Sequence, residues 1–161
     1  MEKGTLYLLP TLLGDSKPDS VLPEGVLNKM HQLKLFAAEN IRTARRYLIK
    51  SKIETPIDNL EFLELTKNTK DDELMDIIMR LVQGEDLGLL SESGVPCVAD
   101  PGALLVEKAH EFKIKVVPLV GPSSILMGLM ASGFSGQKFS FNGYLPIDVK
   151  QRENKLKFLE K

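Results

Sequence analysis

The sequence predicts an α/β fold in which helices flank a mostly parallel sheet. Short apolar runs rich in Leu, Val and Phe alternate with longer amphipathic stretches along the chain, which is typical of βα units that build a parallel sheet. Each run is brief and nearly continuous in apolar character, as strands covered on both faces are. The predicted strands occupy residues 5–9, 35–38, 61–65, 87–91 and 116–120.

Amphipathic helices are predicted between these strands. They occupy residues 23–33, 41–51, 71–83, 103–112 and 123–131. The helix at 71–83 has the clearest boundaries, because acidic residues fill its first turn, where the helix dipole favours them, and Gly84 follows its end. Its apolar residues recur at helical spacing, which predicts that they pack inward.

The pattern changes after Gly121. The helix at 123–131 leads to a predicted strand of another sheet at 138–144, with Phe141 and Tyr144 in the core, and then to a polar helix at 148–161. We therefore expect an α/β domain over residues 1–117 and the beginning of a second domain over 118–161. One strand between two helices buries little apolar surface, so this second domain is expected to be truncated or unusually short.

Composition restricts the class of protein and its surroundings. With 161 residues, 43% of them hydrophobic and 27% charged, the chain is of the folded globular class. The net charge of −1 excludes a global basic field, so any contact with RNA must be local. A single cysteine, Cys97, and the absence of zinc-ligand spacings indicate a reducing cytoplasm and no metal. No secretory signal or membrane-spanning run is predicted, because no apolar run approaches about 20 residues.

The strongest candidate site is the segment LGLLSESGVPCVADPG at residues 87–102, which runs from a buried strand through a turn-rich loop into a helix. In open α/β sheets, ligands bind beyond the carboxyl ends of strands, where this loop lies. Gly94 gives the loop a tight path. Glu92 and Asp100 could accept hydrogen bonds from ribose hydroxyls or lie near a cationic group. The alternative is that Asp100 only caps the helix that begins near Pro101.

Two other strand ends are candidate sites. In KVVPLVGPSSILMG, residues 115–128, Ser123 and Ser124 open a helix whose free amides suit an anionic or polar ligand group. The alternative there is a simple serine N-cap. In LYLLPTLLGD, residues 6–15, Pro10 and Gly14 shape the end of the first strand, and the alternative is an ordinary loop.

Together, these segments resemble the ribosomal RNA ribose-methylating branch of the tetrapyrrole methylase superfamily. Five segments occur in the order and spacing of that branch: LYLLPTLLGD, FAAENIRTARRYL, LLSESGVPCVADPG, VVPLVGPSS and FNGYLP. The most specific are SESGVPCVADPG and PLVGPSS, which are similar to SDAGTPGISDPG and PLPGPSA in the family. The resemblance covers nearly the whole chain. It implies a two-domain fold that binds S-adenosylmethionine in the cleft between the domains, commonly as a homodimer.

The resemblance also implies an activity and a set of site residues. The residues that correspond to the surroundings of S-adenosylmethionine are Pro10, Ser91, Glu92, Gly94, Asp100, Ser123 and Ser124. The implied acceptor is a ribose 2′-hydroxyl of ribosomal RNA in the small ribosomal subunit, with S-adenosylhomocysteine as product. A ribose hydroxyl is a weak acid, so a base or a positive charge should assist the transfer, and Glu39 and Arg42 are the candidates. The alternative for this pair is a structural ion pair at the strand end.

Three departures from the family pattern concern the substrate side more than the cofactor side. Asn40 replaces an aspartate of the family segment AAEDTRHTRKLL, and Glu92 replaces an aspartate of the loop. The segment LELTKNTKDDEL retains Asn68 but lacks the histidines of the family segment HEHNE. Two alternatives therefore stay open, a methyltransferase of tetrapyrrole-like or other small molecules and a binding module for S-adenosylmethionine without turnover.

Overall fold

Five short strands form one all-parallel sheet in the computed structural model, which describes residues 2–160. The strands are β1 (Thr5–Leu9), β2 (Leu35–Ala38), β3 (Glu61–Glu64), β4 (Leu87–Leu90) and β5 (Lys115–Pro118). Their order in the sheet is β3-β2-β4-β1-β5, and every neighbouring pair is parallel. The predicted α/β fold is confirmed.

Seven α-helices occur along the described residues. They are α1 (Pro18–Val21), α2 (Glu24–Gln32), α3 (Ile41–Lys50), α4 (Asp71–Val82), α5 (Gly102–Glu111), α6 (Ser124–Ser132) and α7 (Val149–Leu159). The predicted helices match to within two residues at each end, whereas α1 and a 3₁₀ turn at Ile57–Asn59 were not predicted. Over residues 2–160, none of the helices is both long enough and apolar enough to cross a membrane.

Helices cover both faces of the sheet. On one face, a buried cluster includes Ile78 of α4 and Leu105 of α5. On the other face, Met30 of α2 and Leu48 of α3 pack in a cluster with Phe36 of β2. All four residues of β2 and of β4 are buried, which explains why these strands are apolar at every position rather than at alternate ones.

Local signals fix the ends of the helices that lead away from the sheet. The side chain of Asn40 accepts a hydrogen bond from Thr43 N at 3.1 Å and caps α3, so the residue that departs from the family aspartate still provides a cap. At α4, Glu73 Oε2 accepts from Lys70 N at 2.9 Å, and Gly84 follows the helix with φ +99°.

The predicted strand at 138–144 is wrong. These residues form no strand, and no strand occurs within residues 125–160 that could pair with them. A strand needs a neighbouring backbone for its hydrogen bonds, and local alternation cannot reveal whether one is present. Phe141 and Tyr144 are exposed, Tyr144 to 88%, so their predicted core position is also wrong.

The chain divides into two compact units, Met1–Ser124 and Ile125–Lys161. The whole parallel sheet lies in the first unit. The second unit contains α7 and nearly all of α6, in neither of which is any residue buried. The domain boundary predicted between residues 117 and 118 stays a prediction.

Candidate functional site

Three loops meet at the carboxyl edge of the sheet. Because β4 pairs with both β1 and β2, Leu90 lies opposite Leu9 on one side and Ala38 on the other. The residues that follow these three strand ends are therefore neighbours at one edge, although they are far apart in sequence. This edge is where open α/β sheets bind ligands.

Gly94 joins the loop after β4 to the loop after β1. Its carbonyl oxygen accepts hydrogen bonds from Thr11 N and from Ser91 Oγ, both at 2.8 Å. Gly94 has φ +75°, and a Cβ there would lie 3.0 Å from Leu13 Cδ2 and from the carbonyl oxygen of Pro122. Glycine is required at this turn, because a side chain would be strained and would separate the loops.

Pro10 is held from two sides. The Tyr47 hydroxyl of α3 donates a 2.8 Å hydrogen bond to the Pro10 carbonyl oxygen. Burial raises the pKa of Tyr47 to about 12, so this phenol stays neutral and able to donate near neutral pH. From the other side, Gly121 approaches so closely that a Cβ there would lie 2.0 Å from Pro10 Cβ. Pro10 therefore connects α3 to the loop after β5.

Asp100 organises the second half of the loop after β4. Its Oδ1 accepts hydrogen bonds from Cys97 N at 2.9 Å and Gly102 N at 2.8 Å. Gly102 is the first residue of α5, so this oxygen binds an amide at the start of the helix, although Pro101 occupies the N-cap position itself. No hydrogen bond to Oδ2 occurs within residues 2–160. Burial, together with the Asp100 charge, raises the pKa of the Cys97 thiol to about 12, which keeps it protonated and unreactive.

A cavity of about 200 Å³ opens between the loop after β1 and helix α3. It is lined by Thr11, Leu12, Gly14, Ala38, Thr43, Ala44, Arg46, Tyr47, Lys50, Ser91 and Glu92. Ser91 and Glu92 also line a narrow crevice together with Glu39 and Asp100. Four of the predicted site residues therefore surround one point at the edge of the sheet.

The contribution of α3 to this cavity was not predicted from the sequence. Five lining residues lie on that helix, and four of them are Thr43, Arg46, Tyr47 and Lys50. Their spacing of three, four and seven residues from the first places them on one helical face. That spacing was the available signal, but nothing in the sequence showed which face of α3 meets the strand ends.

The structure does not bring the remaining predicted residues to the cavity. Arg42 is exposed and lines neither the cavity nor the crevice, and within residues 2–160 no ion pair joins it to Glu39. The alternative of a structural Glu39–Arg42 ion pair is therefore not observed. Ser123 is half-buried and Ser124 begins α6, directly after the loop that packs on Pro10, and neither of them lines the cavity.

Comparison with known proteins identifies relatives across almost the whole chain. No protein-family model matches. Ribosomal RNA small subunit methyltransferase I of Xylella fastidiosa is 34% identical over 156 residues, which are 97% of this chain and 54% of the relative. The chain is a homologue of such methyltransferases. Proteins of the same name are 32% identical in Buchnera aphidicola subsp. Schizaphis graminum and 33% identical in Halalkalibacterium halodurans.

The predicted kinship with the small-subunit ribosomal RNA methyltransferases is thus confirmed. The homology extends over 98% of this chain in the Buchnera protein and 96% in the Halalkalibacterium protein. The corresponding shares of those two relatives are 53% and 51%. The chain spans about half the length of the curated relatives it matches.

At the candidate site of this chain, the pKa of one carboxyl group, that of Glu92, is raised. Burial raises the pKa of Glu92, and the nearby Glu39 carboxylate raises it further, whereas the Thr43 hydroxyl acts in the opposite direction. A raised pKa means that the charged form of Glu92 is less favourable in the folded chain than in the unfolded one. The Glu92 carboxylate thus has a greater affinity for a proton than an ordinary carboxylate.

We expect Glu92→Gln to raise the midpoint of thermal unfolding near pH 7 and to have no effect well below the usual carboxyl pKa. Because the folded pKa is raised, the stability that Glu92 contributes is fully present at low pH and is lost as pH rises through that pKa. Glutamine mimics the protonated form at every pH. Differential scanning calorimetry over a pH series measures the effect. Glu54→Gln at an exposed position is the matched control, and equal shifts in both variants would contradict the prediction.

Proposed function

We propose that the chain forms the methyl-donor site of an S-adenosylmethionine-dependent methyltransferase that modifies a ribose 2′-hydroxyl of ribosomal RNA. The observation that carries this proposal is the convergence of Glu39, Ser91, Glu92 and Asp100 at the carboxyl edge of the sheet. The names of the relatives support the same activity and the small-subunit ribosomal RNA as acceptor.

The chemistry of these residues fits S-adenosylmethionine. That molecule offers a ribose diol and an ammonium group as hydrogen-bond donors, and its sulfonium is positively charged. The Glu92 carboxylate and the second oxygen of Asp100 are acceptors for such donors, and the hydroxyls of Thr11 and Ser91 can both donate and accept. Pro10, Gly94, Ser123 and Ser124 stay proposed as donor-binding positions, where backbone groups and small side chains permit close approach.

S-adenosylmethionine supplies an already activated methyl group, so the residues mainly have to orient the acceptor oxygen and take its proton. Glu39 and Glu92 are the proposed proton acceptors, and the raised pKa of Glu92 suits that task. Arg42, in the first turn of α3, is proposed to stabilise the negative charge that develops on the ribose oxygen. A homodimer and a cytoplasmic location stay predictions for the whole protein.

Calorimetric titration of the chain with S-adenosylhomocysteine tests the donor site. We expect micromolar affinity, which corresponds to about −8 kcal/mol. Transfer of a labelled methyl group to unmodified small ribosomal subunits, followed by alkaline hydrolysis of the RNA, then tests the acceptor, because a ribose methyl makes the adjacent phosphodiester resistant to alkali and leaves the label in a dinucleotide. Absence of binding would contradict the donor site. Binding without transfer to any RNA would instead identify the binding module, or a small-molecule methyltransferase if tetrapyrroles accept the methyl group.

A further inference from the structure

A second cavity lies on the other side of Lys50. Its volume is about 380 Å³, compared with about 200 Å³ for the cavity at the strand ends. It is lined by Lys17, Pro18, Asp19, Leu27, His31, Lys50, Ser51 and Lys52, from α1, α2 and the end of α3. Lys50 lines both cavities, so a ligand that extends from one to the other would pass this side chain.

Positive charge exceeds negative charge around this second cavity. Three lysines and one aspartate line it. Lys52 lies 3.8 Å from Asp19, and both side chains are exposed. Lys50 pairs at 2.6 Å with Asp15, which is fully exposed and outside the lining. Exposed ion pairs of this kind contribute little, so a phosphate could replace these carboxylates at low cost. Lys17 has no carboxylate partner within residues 2–160, so no ion pair has to break before it contacts a ligand.

The charge of α3 makes this region unusual for the chain. Residues 41–52 contain five arginines and lysines and no acidic residue, although the net charge of the whole chain is −1. Arg46 and Lys50 line the first cavity, and Lys50 and Lys52 line the second. A local basic stripe that joins two cavities attracts a polyanion along one path, without a basic field over the whole surface.

Ser51 lines this second cavity, and its hydroxyl is buried beneath the cavity surface. The residue is 6% exposed, and its Oγ has no hydrogen-bond partner among the described residues. The Ser51 hydroxyl lies near the Tyr47 phenol and lowers the pKa of that phenol, although burial raises it by more. The two hydroxyls do not form a hydrogen bond with each other. Buried hydroxyls are normally paired, so the Ser51 hydroxyl keeps a hydrogen bond that it could donate to a ligand once its side chain rotates toward the cavity.

We propose that the second cavity binds a phosphodiester group of the RNA whose ribose is methylated at the first cavity. The inference rests on the proposed function and adds the element that positions the acceptor. Phosphate contacts fix the register of a nucleic acid on a protein. A phosphate held by Lys17, Ser51 and Lys52 would fix which ribose along the strand reaches Glu39 and Glu92.

Fluorescence anisotropy with a short labelled single-stranded RNA tests this assignment. We expect the double variant Lys17→Gln and Lys52→Gln to weaken RNA binding about tenfold. The slope of log affinity against log salt concentration should also fall, by the amount that corresponds to about two phosphate contacts. The matched control, Lys34→Gln with Lys115→Gln, removes the same charge at the amino ends of β2 and β5 and should change affinity less than about twofold. S-adenosylhomocysteine should bind equally to both variants.

Ser51→Ala separates the cavity from general electrostatics, because it removes no charge. We expect weaker RNA binding with no loss of thermal stability, since the hydroxyl has no partner in the folded chain. Potassium phosphate at constant ionic strength should compete with RNA for the unmodified chain. Competition that is equally strong for the double variant at Lys17 and Lys52 would overturn the proposal.

The outcomes distinguish this proposal from the proposed function. Equal weakening by the two double variants would mean that net charge alone matters, and this would overturn the cavity assignment. Binding of inorganic phosphate without binding of RNA would make the cavity a site for free anions and overturn it as well. Binding of S-adenosylhomocysteine without RNA binding would overturn the phosphodiester site and leave the methyl-donor site intact.

Discussion

Replacing Asp100 by alanine is expected to abolish the binding of S-adenosylhomocysteine and to lower the free energy of unfolding by about 2 kcal/mol. The backbone N–H groups of Cys97 and Gly102 would both lose their acceptor, Asp100 Oδ1. In the same loop, Cys97 and Ala99 have φ values of 68° and 58°, which is an unfavourable conformation for residues other than glycine. The loop would therefore relax once these two hydrogen bonds are lost. Calorimetric titration and urea denaturation measure the two effects.

Asp100→Asn is the control that separates the role of Asp100 in ligand binding from its role in holding the loop together. Asparagine keeps an oxygen for the two N–H groups but removes the negative charge, so stability should stay close to that of the unmodified chain. We expect the affinity for S-adenosylhomocysteine to fall at least about tenfold, because a charge-assisted hydrogen bond is roughly twice as strong as a neutral one. Unchanged affinity in Asp100→Asn would mean that Asp100 only organises the loop and caps α5.

Gly121→Ala is expected to lower the free energy of unfolding by about 3 kcal/mol. The new Cβ would lie 2.0 Å from Pro10 Cβ and 2.5 Å from Pro10 Cγ, far inside van der Waals contact. Neither group can move easily, because the proline ring is rigid and the Pro10 carbonyl oxygen is bound by the Tyr47 hydroxyl. The clash should therefore move the loop after β5 away from the first strand, and urea denaturation measures the loss.

Gly25→Ala is the matched control for this substitution. Gly25 lies in α2, and a Cβ there would have no heavy atom within 4 Å. Alanine has a higher helix propensity than glycine, so the free energy of unfolding of this variant should rise by about 0.5–1 kcal/mol. Similar small effects in both variants would show that the loop after β5 does not pack tightly against Pro10.

Local sequence patterns were enough to predict the five strands and most helices of the parallel-sheet unit. Apolar runs give the strands directly, because strands buried on both faces need apolar residues throughout. Helix ends followed from local signals such as the acidic first turn of α4 and Gly84. The order of five short segments also predicted the kinship that the relatives confirm. All of these signals depend on residues that are close together in the chain.

Which residues far apart in the chain lie together was evident only once the strands were arranged in the sheet. The strand order places β1 between β4 and β5, and this order brings Thr11 beside Gly94 and Gly121 beside Pro10. One face of α3 lies toward the strand ends, which was not predicted from the sequence. Within residues 2–160, the segment 138–144 has no strand partner. Strand pairing is an interaction between backbones far apart in sequence, and backbone hydrogen bonds are the same for every residue type. Side-chain patterns therefore predict that a segment is a strand but not which strand it pairs with.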